Sequence, residues 1–200
     1  MPTEHKNASN SIPHLLFLSN LLPSKGVYVL LDALQILKKQ GLSFTCHFVG
    51  AESSEINSLS FLEESRKRGL EGMAIYVGKK YGKDKTEEFL QADIFIHPTN
   101  DDCFPLVILE AMQFGLPVIT TNEGGIPDMV QDKVNGLICE KESASSLAHH
   151  IAFLINDAKK RQEMGRKGEQ FYHDKYTTER FERRMTDILH QTLKHNSHHA

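Results

Sequence analysis

Short apolar runs alternate with longer segments of helical periodicity along most of the chain. In the segment 25–39 the apolar residues recur on one helix face, and Gly41 follows as a stop signal. The pattern predicts strands over 14–18, 44–49, 74–77, 94–97, 118–120 and 137–139. Between them it predicts further helices over 56–68, 86–91, 106–114 and 127–130.

This alternation predicts how the strands are arranged. Strands that alternate with helices, without hairpin turns, form right-handed βαβ units and a parallel sheet. The run Ile94-Phe95-Ile96 is apolar throughout, which is typical of a strand covered on both faces. The sequence therefore predicts an α/β fold with a doubly wound, Rossmann-like parallel sheet and helices on both faces.

After about residue 143 the pattern becomes purely helical, over 144–156, 158–172 and 177–193. The predicted organisation is a flexible N-terminal segment at 1–13, a Rossmann-like domain at 14–175, a C-terminal helix at 176–195 and a tail at 196–200. Phe181, Met185, Ile188 and Leu189 form an apolar stripe on the last helix, which must pack on this domain or on a neighbour.

Composition narrows the class of protein. The 200 residues are 40% hydrophobic and 24% charged, as in ordinary globular proteins, and no run of about 18 apolar residues suggests a membrane span. A net charge of -3 favours no nucleic-acid partner. Cys46, Cys103 and Cys139 lack CxxC spacing, so we expect three reduced thiols and a cytoplasmic location.

In an open parallel sheet, ligands bind beyond the carboxyl ends of the strands. The loop after the first predicted strand carries Lys25, which could meet a phosphate at a helix start or could be an ordinary surface lysine. The loop after the fourth strand carries Asp102, and we expect Pro105 in the first turn of the following helix, whose free N–H groups would suit phosphate oxygens.

Glu110 lies farther along this apolar helix, where an unpaired carboxylate would be costly. Ribose hydroxyls would satisfy it, and Asp102 could bind sugar hydroxyls. The alternative is a buried cap partner at Glu110 and a solvated acidic pair at Asp101 and Asp102. A third loop contains Gly124 and Gly125, which suit either a close approach to a ligand or a plain turn.

Five fragments occur in an order that resembles a known family. They are Lys25-Gly26, the segment from Asp102 to Glu110 followed by Ala-Met, Gly115-Leu-Pro-Val-Ile, Gly124-Gly-Ile-Pro-Asp and Asn135-Gly-Leu. Together they resemble the C-terminal, donor-binding domain of group 1 (family 4) glycosyltransferases with the GT-B fold. The resemblance extends from about residue 14 to about residue 193.

The resemblance implies transfer of a hexosyl group from a nucleotide-sugar donor, UDP or GDP based, to a glycan or glycolipid acceptor, with retention of configuration. It implies no cofactor and no essential metal. Lys25 would hold the diphosphate, Asp102 would contact the donor sugar, and Glu110 would accept the ribose hydroxyls. Asp102 and Glu110 are the candidate catalytic residues. Further donor contacts are expected from Asn20, Val77, Gly78, Lys79, Phe104, Pro105, Leu106 and Val107.

Two positions depart from the family pattern. Asn20 stands where the family has an arginine, which removes one positive charge from the diphosphate site. Asp102 replaces the first glutamate of the E-x7-E motif and is one methylene shorter.

A whole domain of the family pattern is also missing. The resemblance implies an N-terminal acceptor-binding domain, which the residues before position 14 cannot provide. We therefore expect an excised fragment or one half of a split enzyme that does not catalyse alone, with any peripheral membrane association made through the missing domain. In the family the last helix crosses to that domain, which would explain the apolar stripe.

Other readings of the same pattern remain. A nucleotide-sugar epimerase half shares the GT-B-like fold, and a non-catalytic nucleotide-binding or docking module could retain the pocket. A flavodoxin-like regulatory domain would need acids after the first strand, where Ser19 and Asn20 stand. Among eleven histidines, His97 at a strand end could line the cleft or simply pack, and we predict no zinc ligand set and no catalytic triad.

Overall fold

The computed structural model describes residues 12–196, so the predicted segments 1–13 and 196–200 lie almost entirely outside the described residues. Within this range the chain forms six strands. They are β1 (His14–Leu18), β2 (Thr45–Val49), β3 (Ala74–Gly78), β4 (Ile94–His97), β5 (Val118–Thr121) and β6 (Gly136–Cys139). All six predicted strands are present, with ends that differ by one residue at most.

The described helices follow the predicted order. They are α1 (Val27–Lys39), α2 (Ser58–Lys67), α3 (Gly82–Gln91), α4 (Leu106–Gln113), α5 (Ile126–Met129), α6 (Ala144–Asn156), α7 (Ala158–Lys175) and α8 (Thr178–Asn196). The largest difference is at α3, which begins four residues before the predicted helix.

Local chemistry explains two other differences at helix starts. The predicted helix 25–39 is divided, because Gly26 has a φ of 80° and separates a short 3-10 helix, Pro23–Lys25, from α1. Helix α2 begins at Ser58 because Asn57 accepts a hydrogen bond from the backbone N–H of Ser60, whose hydroxyl in turn accepts one from the backbone N–H of Asn57.

The strands form one sheet in the order β3-β2-β1-β4-β5-β6, and every adjacent pair is parallel. This is the strand order of a Rossmann fold, in which the direction of winding reverses between β1 and β4. The carboxyl ends of all the strands point to one edge, and the reversal opens a crevice there between the loops that follow β1 and β4.

Helices cover both faces of the sheet. One buried cluster joins α1 and α6 to residues such as Phe17 and Phe48, and the other joins α3 and α4 to residues such as Phe95. Full burial of each such side chain contributes about 1.5–3 kcal/mol, and these contacts hold the strand ends in place. The predicted doubly wound fold with C-terminal helices is therefore confirmed.

The last helix has an unusual surface. Phe181, Met185, Ile188 and Leu189 of α8 are 42–61% exposed, so the predicted apolar stripe is only partly covered by this domain. No helix among the described residues is both long and apolar enough to cross a membrane. The stripe is therefore an apolar face on an otherwise polar helix.

Candidate functional site

The loops after β1 and β4 meet at the crevice through their main chains. The backbone N–H of Asn100 donates to the carbonyl of Ser24 over 2.7 Å. Between these loops there is no room for a side chain at Gly26, since a Cβ there would lie 2.1 Å from the carbonyl oxygen of Pro98. The glycine after Lys25 therefore lets the two loops approach, and Lys25 contacts the loop after β4.

Lys25 and Asp102 meet across this junction. The Nζ atom of Lys25 lies 2.9 Å from Oδ2 of Asp102 and 2.5 Å from the carbonyl oxygen of Asp101. The side chains of Lys25 and Asp102 are 21% and 18% exposed, so the pair is accessible from the crevice but is not a free surface pair. Asp101 is exposed, and only its carbonyl takes part.

His97 contacts the same carboxylate from below. Its Nε2 lies 3.1 Å from Oδ2 of Asp102, and its side chain is 1% exposed. The hydrogen bond from His97 is the largest influence on Asp102, and together with the bond and charge of Lys25 it outweighs burial and lowers the pKa of that carboxyl. Asp102 is therefore held ionised, and the solvated acidic pair considered from the sequence is not what the structure shows.

The start of α4 faces the same junction. Pro105 is the N-cap residue and Leu106 the first helical residue, so the expectation of a first-turn proline is wrong by one position. The helix begins after Pro105 because its ψ of 100° is extended, not helical. No side chain caps the helix, and the N–H of Ile108 donates to the carbonyl of Pro105 over 3.0 Å, so the N–H groups of Leu106 and Val107 are the ones that can bind an anion.

The side chains around this helix start have a separate environment. Phe104 and Leu106 are 41% and 65% exposed, whereas Pro105 is buried and Val107 is half-buried. Phe104 and Leu106 line a groove of about 600 Å³ whose other wall is α8, with Phe181, Met185 and Ile188. The side chains of Phe104 and Leu106 are thus part of the groove along α8.

Glu110 is not buried and caps nothing. Its side chain is 39% exposed, and its Oε1 lies 2.7 Å from Nζ of Lys85 on α3. The neighbouring residues Ile108, Leu109, Ala111 and Met112 are buried, so the helix turns its apolar side to the core and Glu110 to the opposite side. Glu110 has apolar neighbours in the sequence, but these neighbours lie on a different face of the helix.

The carboxyl end of β3 lies at the outer end of the sheet edge that carries these loops. Val77 is half-buried against the α3–α4 core, and Gly78 ends β3 with a φ of 78°. The carbonyl of Gly78 accepts a hydrogen bond from Gly50, 3.1 Å away, and the Nζ of Lys79 lies 4.7 Å from the ring centre of Tyr81. Since β3 is two strands from β1, this segment lies about 10 Å from the Lys25 loop.

Asn20 lies in the loop after β1 and is exposed. Its carbonyl accepts the N–H of Leu22 over 2.8 Å, which closes a tight turn before Lys25. At the first residue after β2, a Cβ on Gly50 would lie 1.9 Å from the carbonyl oxygen of Ser19. The loops after β1, β2 and β4 are therefore joined by close main-chain contacts.

In the loop after β5, Gly124 and Gly125 likewise allow a close contact between main chains. A Cβ on Gly124 would lie 2.1 Å from the carbonyl oxygen of Asp102, and the N–H of Gly125 donates to the carbonyl of Cys103 over 2.7 Å. The paired glycines thus let the loop after β5 support the Asp102 loop. This is a close approach of backbone to backbone, and it explains the pair without a ligand.

The structure brings Lys25, Asp102 and the start of α4 into one crevice, with Glu110 on the next turns of the same helix. Asn20, Val77, Gly78 and Lys79 lie on the same sheet edge. The sequence pattern carries no signal for Lys85, and it leaves His97 open as either a cleft residue or a packed residue. His97 is both, since it is buried and contacts Asp102.

One group of described residues could offer ligands to a metal ion: His14, His47 and Glu88. Both carboxylate oxygens of Glu88 are already engaged, Oε2 by His47 at 2.7 Å and Oε1 by the ammonium of Lys80 at 2.9 Å. Burial raises the pKa of Glu88, but these two hydrogen bonds and charges outweigh it and leave the pKa lowered. The group therefore forms a neutralised polar network that fastens α3 to the sheet.

All three cysteines are free thiols. Cys46 and Cys139 are buried and Cys103 is exposed. Burial raises the pKa of Cys46 and raises that of Cys139 to about 12, so these two thiols are not reactive nucleophiles.

The chain belongs to the family described as Glycosyl transferases group 1, whose model matches residues 4–171. Among curated proteins it is 28% identical over 163 residues to the capsular polysaccharide biosynthesis glycosyltransferase CapM of Staphylococcus aureus, which covers 82% of this chain and 42% of CapM. The chain spans about two fifths of the length of the curated relatives it matches.

Solved structures show the same fold. HepE of Anabaena in complex with UDP and glucose superposes with a TM-score of 0.79 at 23% identity, over 89% of this chain and 48% of HepE. The C-terminal domain of the group 1 glycosyl transferase LpcC of Francisella tularensis gives 0.74 at 24% identity, over 84% of this chain and 89% of that domain. The predicted membership of this family and the predicted fold are thus confirmed.

Proposed function

We propose that this chain is the donor-binding half of a retaining glycosyltransferase that transfers a hexosyl group from a nucleoside diphosphate sugar to a glycan or glycolipid. The observation that carries the proposal is the contact between Lys25 and Asp102 at the start of α4. It places a cation, a carboxylate and unpaired N–H groups in the crevice where an open parallel sheet binds its ligands.

The diphosphate would lie against Lys25 and the N–H groups of the first turn of α4. Positive charge from the ammonium and from the helix N-terminus stabilises the two phosphates. The same groups would stabilise the negative charge that develops on the leaving diphosphate when the bond to the sugar breaks. In this arrangement the binding site for the donor is also the site that assists departure of the nucleotide.

The two carboxylates would divide the rest of the donor between them. Glu110 would accept hydrogen bonds from the ribose hydroxyls, with Lys85 holding Oε1 and leaving Oε2 for the ligand. Asp102 would accept a hydroxyl of the transferred sugar. Val77, Gly78 and Lys79 would lie against the base, which their position about 10 Å from Lys25 allows.

The comparisons support a donor based on UDP. HepE was solved with UDP and glucose, and relatives such as CapM act in polysaccharide biosynthesis by their descriptions. A GDP donor is the second choice. The chain matches under half of these proteins, so we propose that an N-terminal half supplies the acceptor contacts and that this chain does not transfer sugar by itself. The three free thiols favour the cytoplasm as the place of action.

Calorimetric titration of this chain with UDP, GDP and ADP, each alone and as its hexose conjugate, tests the proposal. We expect saturable binding of one nucleotide and a loss of at least about 10-fold in Lys25→Ala and in Glu110→Ala, the value of one charge-assisted contact. Matched controls are Lys133→Ala and Glu71→Ala, which remove exposed charges from the loops before β6 and β3, at the opposite edge of the sheet. Equal affinities in all four variants would contradict the assignment of Lys25 and Glu110 to the donor site.

A further inference from the structure

His97 is fixed in the structure by more than its own side chain. Its carbonyl accepts a hydrogen bond of 2.8 Å from the hydroxyl of Thr120, and its ring stacks on that of Phe95 with centres 6.3 Å apart and planes 12° apart. The side chain is 1% exposed. The ring is therefore held by the sheet itself, at the carboxyl end of β4.

The polar contact of this ring points to the donor site. An ionised carboxylate only accepts hydrogen bonds, so the Nε2 of His97 carries the hydrogen that bonds Oδ2 of Asp102. The Nδ1 atom is buried and has no hydrogen-bond partner among the described residues. A buried polar ring normally satisfies its groups, and here the one contact made is with the candidate sugar-binding carboxylate.

The same oxygen of Asp102 receives a second donor. Lys25 lies 2.9 Å from Oδ2, and within the described part of the chain no hydrogen bond is formed by Oδ1. One donor from the end of β4 and one from the loop after β1 thus converge on one oxygen and define the direction of the carboxyl group. Because an aspartate has one side-chain torsion fewer than a glutamate, two contacts on Oδ2 leave the carboxyl group little freedom to turn Oδ1 away from a ligand.

We propose that His97 is a positioning residue of the donor site: by holding Oδ2 of Asp102 it leaves Oδ1 to accept a hydroxyl of the donor hexose. This inference rests on the proposed function. It gives different roles to the two groups that donate to Oδ2 of Asp102. Lys25 binds the diphosphate, whereas His97 acts on the sugar through Asp102. A histidine that only filled the core would affect the whole fold and would not distinguish the sugar from the nucleotide.

The test compares His97→Phe, which keeps a buried ring and loses the donor, with His97→Gln, which retains an N–H donor. The probes are UDP and UDP-glucose, with GDP and GDP-mannose if the chain prefers guanine. For His97→Phe we expect UDP affinity within about 2-fold of the unsubstituted chain and UDP-glucose affinity reduced about 10-fold, as for one lost hydrogen bond to a charged group, with partial recovery in His97→Gln. An unchanged ratio of the two affinities would overturn the inference.

A second measurement does not need a nucleotide. Carbon-detected NMR titration of the Asp102 carboxyl should give a pKa below the ordinary value of 3.8 in the unsubstituted chain and a higher one in His97→Phe. Equal titration in the two proteins would contradict the positioning role, even if the chain binds no nucleotide. Failure of the unsubstituted chain to bind any nucleotide would instead reject the proposed function. Thermal unfolding of both variants checks whether the fold is intact.

Discussion

Lys25 and Asp102 are 77 positions apart in the sequence, and their Nζ and Oδ2 atoms are 2.9 Å apart at the point where the sheet reverses its winding. The pair is close to neutral, because one ammonium faces one ionised carboxylate. A diphosphate that binds at Lys25 must therefore share this ammonium with Asp102. The charge balance of the crevice is therefore set by this pair.

Asp102→Asn should increase the affinity for UDP about 3-fold to 10-fold and abolish the added affinity for UDP-glucose. The amide no longer neutralises Lys25 or repels the phosphates, and it no longer presents an ionised oxygen to the sugar. Calorimetry with the two ligands measures both effects. Asp101→Asn is the matched control, since that side chain is exposed and its carbonyl contact with Lys25 is retained. A lower UDP affinity in Asp102→Asn would contradict the competition.

Asn20→Arg should strengthen UDP binding about 10-fold, because an exposed loop position beside the crevice would gain a charge-assisted contact with the diphosphate. Binding should also become steeper in its dependence on salt, since one more ionic contact is made. Isothermal titration at two ionic strengths measures both effects. Asn20→Gln lengthens the side chain without charge and should leave affinity unchanged; an equal gain in that variant would argue against an electrostatic cause.

The close approach of the loops after β1 and β4 can be tested with two glycines of the same backbone conformation. Gly26 has a φ of 80° and Gly41 a φ of 79°, but only at Gly26 would a Cβ meet another atom, the carbonyl oxygen of Pro98 at 2.1 Å. We expect Gly41→Ala to cost about 1 kcal/mol from strain alone and Gly26→Ala to cost about 3 kcal/mol and to weaken UDP binding. Chemical denaturation provides the comparison, and similar costs at the two positions would mean that the two loops can separate freely.

The Glu88 network should make the stability of the domain dependent on acid. The pKa of Glu88 is lowered in the folded protein from its ordinary value of 4.5, so its stabilising contribution is complete above that value and is lost as pH falls through the folded value. Glu88→Gln should cost about 2 kcal/mol at pH 7 and should flatten the loss of stability below pH 4.5. Thermal unfolding from pH 3 to 7 tests this. Parallel curves for the two proteins would exclude Glu88 from the acid response.

Helix α8 should exchange its amide hydrogens faster than the core strands in this chain. Its apolar residues Phe181, Met185, Ile188 and Leu189 are 42–61% exposed, so little burial opposes local opening. Hydrogen exchange read by mass spectrometry compares α8 with β1 and β4. Protection of α8 equal to that of the strands would show that its contact with this domain suffices. Addition of an N-terminal half should slow exchange at these residues.

The sequence predicted the strands, loops and helix that carry the site better than the side-chain contacts within it. Strand ends, the loop with Lys25 and the helix with Glu110 follow from periodicity and from glycine and proline positions, which are local signals. The side-chain partners depend on elements that meet only in the folded chain. Nothing near Glu110 in sequence indicates Lys85, 25 residues earlier on another helix. Likewise, the pattern at His97 cannot show that its ring turns toward Asp102.

The carboxylate at Glu110 illustrates why this limit is physical. In the sequence it stands among apolar residues and suggested burial, whereas the helix places its neighbours in the core and leaves Glu110 39% exposed. Only the orientation of the helix on the sheet decides between these two environments. A helix of eight residues with apolar residues on most sides does not define that orientation by periodicity.

The main-chain contacts at the crevice have a consequence for redesign of the donor preference. The loops are fastened through Gly26 and Pro98, through Gly50 and Ser19, and through Gly124 and Asp102, in each case by close approach of a glycine to a carbonyl oxygen. The exposed side chains of Asn20 and Lys79 take no part in these contacts. These two side chains, which are expected at the diphosphate and the base, can thus be exchanged as a library without dismantling the scaffold that carries them, and the preference for the nucleotide becomes open to selection at surface positions.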